Sequence, residues 1–262
     1  MKCVPDIPFD TENALSLDLY LPNTLTARGC VVYAHGGGFR KGSRHDEVAP
    51  HFAAALTAAG FAMASVSYRL ATGPEAFSEL DQSYIAAYGR RTGAVGFSLS
   101  PKLYGTAFIA ATEDISRAIE FLWVEGGNLG IASRKTGVLG VSAGGIAGVS
   151  LAYPPSHWRE RLVMPDAVVA ISSAIVQPWR LSDRGAPCLM LHGPGDRVID
   201  IRDPEFGAAR ATQVGAPVHL VNTGVRGHAT QVDAVLDGAG LDGQGSFMDM
   251  ILTHFSKMLD EV

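Results

Sequence analysis

Apolar residues gather in short, nearly continuous runs along most of this chain: Cys30-Val31-Val32-Tyr33-Ala34, then residues 61–66, 136–141, 167–171, 187–191 and 218–221. Runs of this length without polar alternation suit strands buried on both faces of a parallel sheet. An earlier segment, residues 14–20, alternates apolar and polar and stops at Leu21-Pro22-Asn23, which predicts a half-exposed antiparallel edge strand. Between the runs lie stretches with helical spacing, over residues 49–59, 112–124, 143–153, 203–214 and 247–259. Thr112 is placed to cap the second of these. Glu113 and Asp114 then fall in its first turn, where the helix dipole favours negative charge. Strand and helix alternate, so the pattern predicts an α/β fold with a doubly wound sheet.

Two segments interrupt the alternation. Residues 71–110 separate a strand from the next predicted helix by far more than an ordinary loop, and read as an inserted cap or pocket wall. They carry Phe77, Tyr84, Tyr88, Phe97, Tyr104 and Phe108, which either line a substrate pocket or pack the insertion onto the rest of the chain. Arg90-Arg91 would suit an acidic substrate or simply a solvated face. Residues 229–245, rich in Gly and Asp, predict an irregular loop with room for one short helix.

Composition narrows the class. Of the 262 residues 47% are hydrophobic and 18% charged, enough apolar surface for a substantial core, and the motifs below span the chain, so a single domain over 1–262 is expected. The net charge of -5, without a dense Lys/Arg run, argues against nucleic acid as a partner. No apolar run approaches a membrane span, and Pro5 and Asp6 break the first residues before a secretory h-region develops. Cys3, Cys30 and Cys188 cannot all pair, and the last two lie in apolar runs, so they read as core thiols in a reducing compartment. A soluble cytoplasmic protein is expected.

Four motifs carry chemistry. Gly140-Val141-Ser142-Ala143-Gly144 follows an apolar run and opens a helix of very small residues. A serine on such a tight strand-to-helix turn is pushed out with its hydroxyl exposed, as a nucleophile requires; the bland alternative is a Gly-rich turn. His35-Gly36-Gly37-Gly38-Phe39 follows the run ending at Ala34. Its glycines leave backbone N–H groups unobstructed, so Gly37 and Gly38, with the N–H of Ala143, form a candidate oxyanion hole. A phosphate cradle is disfavoured because no Gly-Lys-Ser/Thr follows.

His192-Gly193-Pro194-Gly195-Asp196 comes after the run ending at Leu191. Asp196 is the candidate acid to orient a histidine, with Asp200 the alternative. Downstream histidines are His219, His228 and His254. His219 lies inside an apolar run and His254 inside a predicted terminal helix, whereas His228 follows Gly224-Val225-Arg226-Gly227 in the loop after the last strand. His228 is therefore the candidate base.

With these motifs in order, the chain resembles α/β-hydrolase-fold carboxylesterases, nearest the hormone-sensitive-lipase-like and feruloyl- or acetyl-esterase-like groups. The resemblance rests on His35 to Phe39 with Gly42-Ser43 and His45-Asp46, on Ser67-Tyr68-Arg69-Leu70-Ala71, and on Glu113-Asp114. It rests further on Gly140 to Gly145, His192 to Ile199 and Gly227-His228. It implies the α/β-hydrolase fold: a mostly parallel central sheet, helices on both faces, and a small cap at 71–110. It also implies hydrolysis of small short-acyl or aryl esters through an acyl-enzyme, without cofactor or metal. The expected partner is a small-molecule ester; nucleic acid and membrane are not expected, and a homodimer is compatible. An amidase or arylformamidase on the same triad is the nearest rival, and a non-catalytic binding protein of the same fold a more distant one. Val141 where the lipase-like group often has an acid, and no proline after Ala71, are departures.

Overall fold

The apolar runs become the interior of one eight-stranded sheet in the computed structural model, which describes residues 1–24 and 26–260. The strands are β1 (Lys2–Asp10), β2 (Leu15–Leu21), β3 (Cys30–Ala34), β4 (Ala62–Val66), β5 (Thr136–Val141), β6 (Ala167–Ile171), β7 (Cys188–His192) and β8 (Val218–Asn222). The helices are α1 (Ala49–Ala58), α2 (Glu79–Gly93), α3 (Thr106–Glu125), α4 (Ala143–Ala152), α5 (Arg202–Val214), α6 (Thr230–Leu236) and α7 (Phe247–Leu259). Strand order is β1-β2-β4-β3-β5-β6-β7-β8; β1, β2 and β4 pair antiparallel and every later pairing is parallel.

Both faces of β3 to β7 are buried, which is why these strands read as nearly continuous apolar runs, whereas the outer strand β8, expected from 218–221 to be buried on both faces, keeps only Val221 buried. Alternate residues serve alternate faces: Cys30, Val32 and Ala34 of β3 join a core with Ile115 of α3 and Ile146 of α4. Val31 and Tyr33 face the opposite way into a core with Phe52 of α1 and Phe255 of α7. Cys30 and Cys188 are buried free thiols within β3 and β7, and burial pushes both thiols up, that of Cys30 to about 12. They act as small apolar side chains rather than nucleophiles. Among the described residues no helix is long and apolar enough to cross a membrane.

Three expectations are corrected. The alternating segment at 14–20 is β2, but it pairs on both sides and is not the edge; the edge is β1. Pro5 and Pro8 hide β1 from a periodicity reading, and its pairing with β2 is irregular on either side of Ile7 and Pro8, as an edge strand tolerates. Thr112 does not cap a helix. Helix α3 starts six residues earlier, behind Gly105, and the Thr112 hydroxyl donates to the Phe108 carbonyl at 2.9 Å from within it. The Thr-Glu-Asp sequence imitates a start signal, while the two acids hold Arg69: Arg69 donates to Asp114 through its backbone N–H at 2.7 Å and through Nε, and to Glu113 at 3.1 Å. The segment at 229–245 holds the one short helix expected there, α6, but is not otherwise irregular, since Gly240–Leu241 pairs with Gly245–Ser246 beyond it.

The aromatic residues of the inserted segment serve packing. Phe77, Tyr104 and Phe108 join the core, and Phe97 meets Phe206 edge-on. Tyr84 stacks on His157 and Tyr88 approaches Trp158. Arg91 lies over the Trp179 ring at 4.5 Å. Asp81, near the start of α2, ties this layer to the segment after α4: it accepts from His157 Nε2 and Arg161 Nη2, each at 2.8 Å. Burial would raise the Asp81 carboxyl, but the bonds from Arg161, His157 and Ser78 outweigh it and hold it at about 2, below the ordinary 3.8. A depressed carboxyl stabilises the fold above its unfolded value and ceases to as pH falls through the folded one. Stability of the native chain should therefore drop between about pH 4 and pH 2. Asp81→Asn should flatten that acid limb in urea titrations while lowering stability at pH 7.

Candidate active site

Five consecutive residues place the serine. β5 runs straight into α4, and Ser142 bridges them with φ 53° and ψ −116°, a conformation L residues avoid. Such a position costs roughly 1–3 kcal/mol and persists only where its surroundings enforce it. Here the Ser142 N–H donates to Ile171 O of β6 at 2.8 Å, and its carbonyl accepts from Ile146 N at 3.0 Å. The turn closes because Gly144 has no side chain: a Cβ there would run into the backbone carbonyls of Ala34 and His35 at the end of β3. Gly144→Ala should accordingly cost about 1–3 kcal/mol in urea unfolding, an overpacking penalty no rotamer can relieve.

His228 and Asp196 arrive from neighbouring strand ends. Asp196 is buried in the turn after β7, its Oδ1 accepting the N–H groups of Val198 at 2.7 Å and Ile199 at 2.9 Å. Its Oδ2 accepts from His228 Nδ1 at 2.6 Å, and His228 Nε2 lies 2.9 Å from Ser142 Oγ. With the ring proton on Nδ1 facing the carboxylate, Nε2 is left to accept the Ser142 O–H. Burial alone would raise the Asp196 carboxyl, but the His228 bond and the two backbone N–H groups outweigh it and hold it below the usual carboxylate value. The His228 loop is pinned to the acid loop by Gly227 N donating to Pro194 O at 3.1 Å, and Gln231 Nε2 donates to Gly227 O at 3.0 Å.

The alternatives named from the sequence lie elsewhere. Asp200 pairs with Arg202 at 2.9 Å, His219 is exposed on the outer strand β8, and His254 sits on α7.

The glycine segment runs beside the serine. Gly36 approaches Ser142 so closely that a Cβ on it would lie 3.5 Å from the serine Cβ. Gly37 has φ 115° and Gly38 φ 64°, and Gly37 O accepts from Arg40 and Lys41 in a tight turn. The N–H groups of Gly37, Gly38 and Ala143 donate to no acceptor among the described residues. Buried Phe39 anchors the turn against Tyr68 and Phe108.

Three supporting residues escape the sequence reading. Tyr68 stacks on His35 and donates its hydroxyl to His35 O at 2.7 Å, fixing the start of the glycine segment. Ser172, itself at φ 51°, donates to the His228 carbonyl at 2.7 Å. His192, the buried last residue of β7, donates from Nε2 to Ile199 O at 3.0 Å and closes the Asp196 turn. The usable signal is position: each lies at or just past the carboxyl end of a strand that borders the site in a doubly wound sheet.

Sheet order, strand-to-helix elbow and the Ser142–His228–Asp196 chain together define an α/β-hydrolase fold. Comparison with known proteins agrees on that class. The BD-FAE family model, an α/β-hydrolase esterase family, matches residues 17–85, a stretch that includes the glycine segment and ends before Ser142. A truncated carbohydrate esterase from gut microbiota superposes with a TM-score of 0.69 at 14% identity, covering 99% of this chain and 96% of that one. An α/β-hydrolase enzyme from a Medee basin deep-sea metagenome library superposes at 0.67 with 18% identity, covering 100% and 99%. Thermogutta terrifontis esterase 2 phosphorylated by paraoxon superposes at 0.60 with 17% identity, covering 82% and 78%. At these identities the likeness establishes the fold. Comparison with curated protein sequences gives no significant match.

Proposed function

We propose that this chain is a serine hydrolase that cleaves carboxylic esters of small, short-acyl or aryl substrates. The observation that carries the reading is the unbroken chain from Asp196 through His228 to Ser142, at 2.6 and 2.9 Å, together with three backbone N–H groups that have no acceptor among the described residues. His228 takes the Ser142 proton as the oxygen attacks the ester carbonyl. The carbonyl oxygen, now an anion, is held by the N–H groups of Gly37, Gly38 and Ala143. Collapse expels the alcohol, which takes the proton from His228, and leaves an acyl group on Ser142. Water, deprotonated by His228, then releases the carboxylic acid. Side chains and backbone N–H groups carry every step, so the reading calls for no cofactor and no metal. The BD-FAE match and the esterase neighbours support ester over amide cleavage.

Two measurements on the purified protein test it. An organophosphonate should label one equivalent of protein, on the peptide that carries Ser142. Aryl acetate should be turned over faster than an N-formyl aniline; the reverse preference would replace esterase by arylformamidase, and no labelling would remove the serine mechanism.

A further inference from the structure

Strand β6 lies between β5, which carries the nucleophile, and β7, which leads to the acid, and its last peptide unit bonds to both. The carbonyl of Ile171 accepts from the Ser142 N–H at 2.8 Å. From the same peptide, the N–H of Ser172 donates to Leu191 O of β7 at 3.0 Å, shortly before the Asp196 turn. The Ser172 side chain reaches the third member, its Oγ donating to His228 O at 2.7 Å. Among the described residues that carbonyl accepts from no other group. Residues 171 and 172 therefore hold the backbone of the nucleophile, the strand before the acid, and the backbone of the base.

Ser172 is not the residue that the turn alone would select. Its φ of 51° is one that residues with a Cβ rarely adopt and glycine adopts freely. Among the described residues glycine fills most positive-φ positions, and one of the few exceptions is Ser142 itself. What serine adds to glycine at 172 is a hydroxyl. The residue is 1% exposed, so the bond from that hydroxyl to His228 is shielded from competing water. The tether of the preceding residue, Gly227 N to Pro194 O, runs to the acid loop. Ser172 ties residue 228 itself to the strand that holds Ser142. Strain kept in place by its surroundings at such a point marks a role in the site.

We propose that Ser172 is a positioning residue for the reaction: its hydroxyl fixes the His228 backbone relative to Ser142, so that Nε2 stays in reach of the serine oxygen through both proton transfers. This rests on the serine-hydrolase reading above. Because the hydroxyl meets the His228 backbone and no reacting atom, its removal should lower kcat without raising KM.

The test compares Ser172→Ala, Ser172→Gly and Ser172→Thr on an aryl acetate, beside thermal unfolding of each full chain. Ser172→Ala and Ser172→Gly should lose about 10- to 100-fold in kcat, the size expected when a base is displaced by up to about 1 Å, with KM nearly unchanged. The rate of organophosphonate labelling should fall by the same factor, since it uses the same proton transfer. Ser172→Thr keeps the hydroxyl and should recover most of kcat. Stability should run the other way. Tm of Ser172→Gly should lie about 2–4 °C above that of Ser172→Ala, because glycine relieves the strain that alanine keeps, and the β-branched Ser172→Thr should be the least stable. If Ser172→Thr does not fold, the other two decide. A serine that only supports the fold would give activity that follows Tm. Native kcat recovered in Ser172→Gly, or kcat of Ser172→Ala within about threefold of the native chain, would overturn the proposal and leave the serine mechanism standing. A native chain that neither turns over the ester nor takes the label would remove that mechanism and the proposal with it.

Discussion

Replacing Ser142 by alanine should lower kcat on an aryl acetate by roughly 10⁵- to 10⁶-fold while leaving a folded protein. The chemical loss is severe at this position because, among the described residues, Ser142 Oγ is the only side-chain hydrogen-bond partner of His228 Nε2. What remains after the substitution is the polarisation of the carbonyl by the three free N–H groups, which accelerates attack by water but forms no acyl-enzyme. Burst-phase product release should therefore vanish together with turnover. The structural loss is small. The hydroxyl contributes one hydrogen bond, a net of about 1 kcal/mol, and the partly exposed imidazole can replace it with water. The backbone strain at φ 53° stays, because alanine also carries a Cβ. Ser142→Gly, equally inactive, should be more stable than Ser142→Ala by about 1 kcal/mol, since only glycine adopts that conformation freely. Burst kinetics and urea unfolding on the two variants check both halves. Turnover of Ser142→Ala within tenfold of the native chain would remove Ser142 from the mechanism.

A feature of this fold is legible in the sequence according to which interaction writes its pattern. Strands β3 to β7 are buried on both faces, so their only internal polar residue is Ser65 and their limits fall within a residue or so of the apolar runs. Helix α7 is also read to the residue, because Ser246 and Asp249 form a capping box in front of a strongly two-sided sequence. β1 was not legible. Its residues are mostly exposed, two are prolines, and its pairing with β2 comes from backbone hydrogen bonds that no side-chain pattern records. The start of α3 is hidden for the opposite reason: residues 108–111 are all buried, so they carry no helical period, and the acids after Thr112 answer Arg69 across the chain rather than the helix end.

At the site, residues that must touch substrate or one another stand in Gly-rich turns at strand ends, and that local chemistry is visible in one dimension. Ser142, Asp196, His228 and the glycines before Phe39 could be named on that basis. Residues that only hold these in place are not marked. Tyr68 looks like a strand-end aromatic and Ser172 like a turn serine until β6 is known to lie between β5 and β7. The six aromatics of residues 71–110 illustrate the same limit. Their side chains suit a pocket wall and a core equally, and only their neighbours, Phe206, His157 and Trp158 among them, assign them to packing.

Asp196→Asn should reduce kcat by about 10⁴-fold with little change in KM, the size expected when a triad histidine is held in the wrong tautomer. The substitution is nearly isosteric, and the amide oxygen can still accept the N–H groups of Val198 and Ile199 at the Oδ1 position. The change falls at Oδ2, 2.6 Å from His228 Nδ1, where an NH₂ now meets the ring. Two donors cannot face each other, so Nδ1 gives up its proton to become an acceptor and the proton moves to Nε2. That nitrogen then points an N–H at Ser142 Oγ and cannot take its proton. The imidazolium formed during attack also loses its counter-charge. Asp200 offers no substitute, being paired with Arg202, so Asp196→Asn/Asp200→Asn should be no slower than Asp196→Asn alone. The same substitution has an acid signature. Because the folded Asp196 carboxyl lies below its ordinary value, it stabilises the native chain above its unfolded pKa and ceases to do so as pH falls through the folded one. Asp196→Asn should therefore weaken the fall of stability on the acid side while cutting kcat at pH 7, and steady-state kinetics beside urea titrations from pH 7 downward measure the two together. A loss of less than tenfold in kcat would mean that His228 is oriented by its backbone tethers to Pro194, Gln231 and Ser172 rather than by the carboxylate.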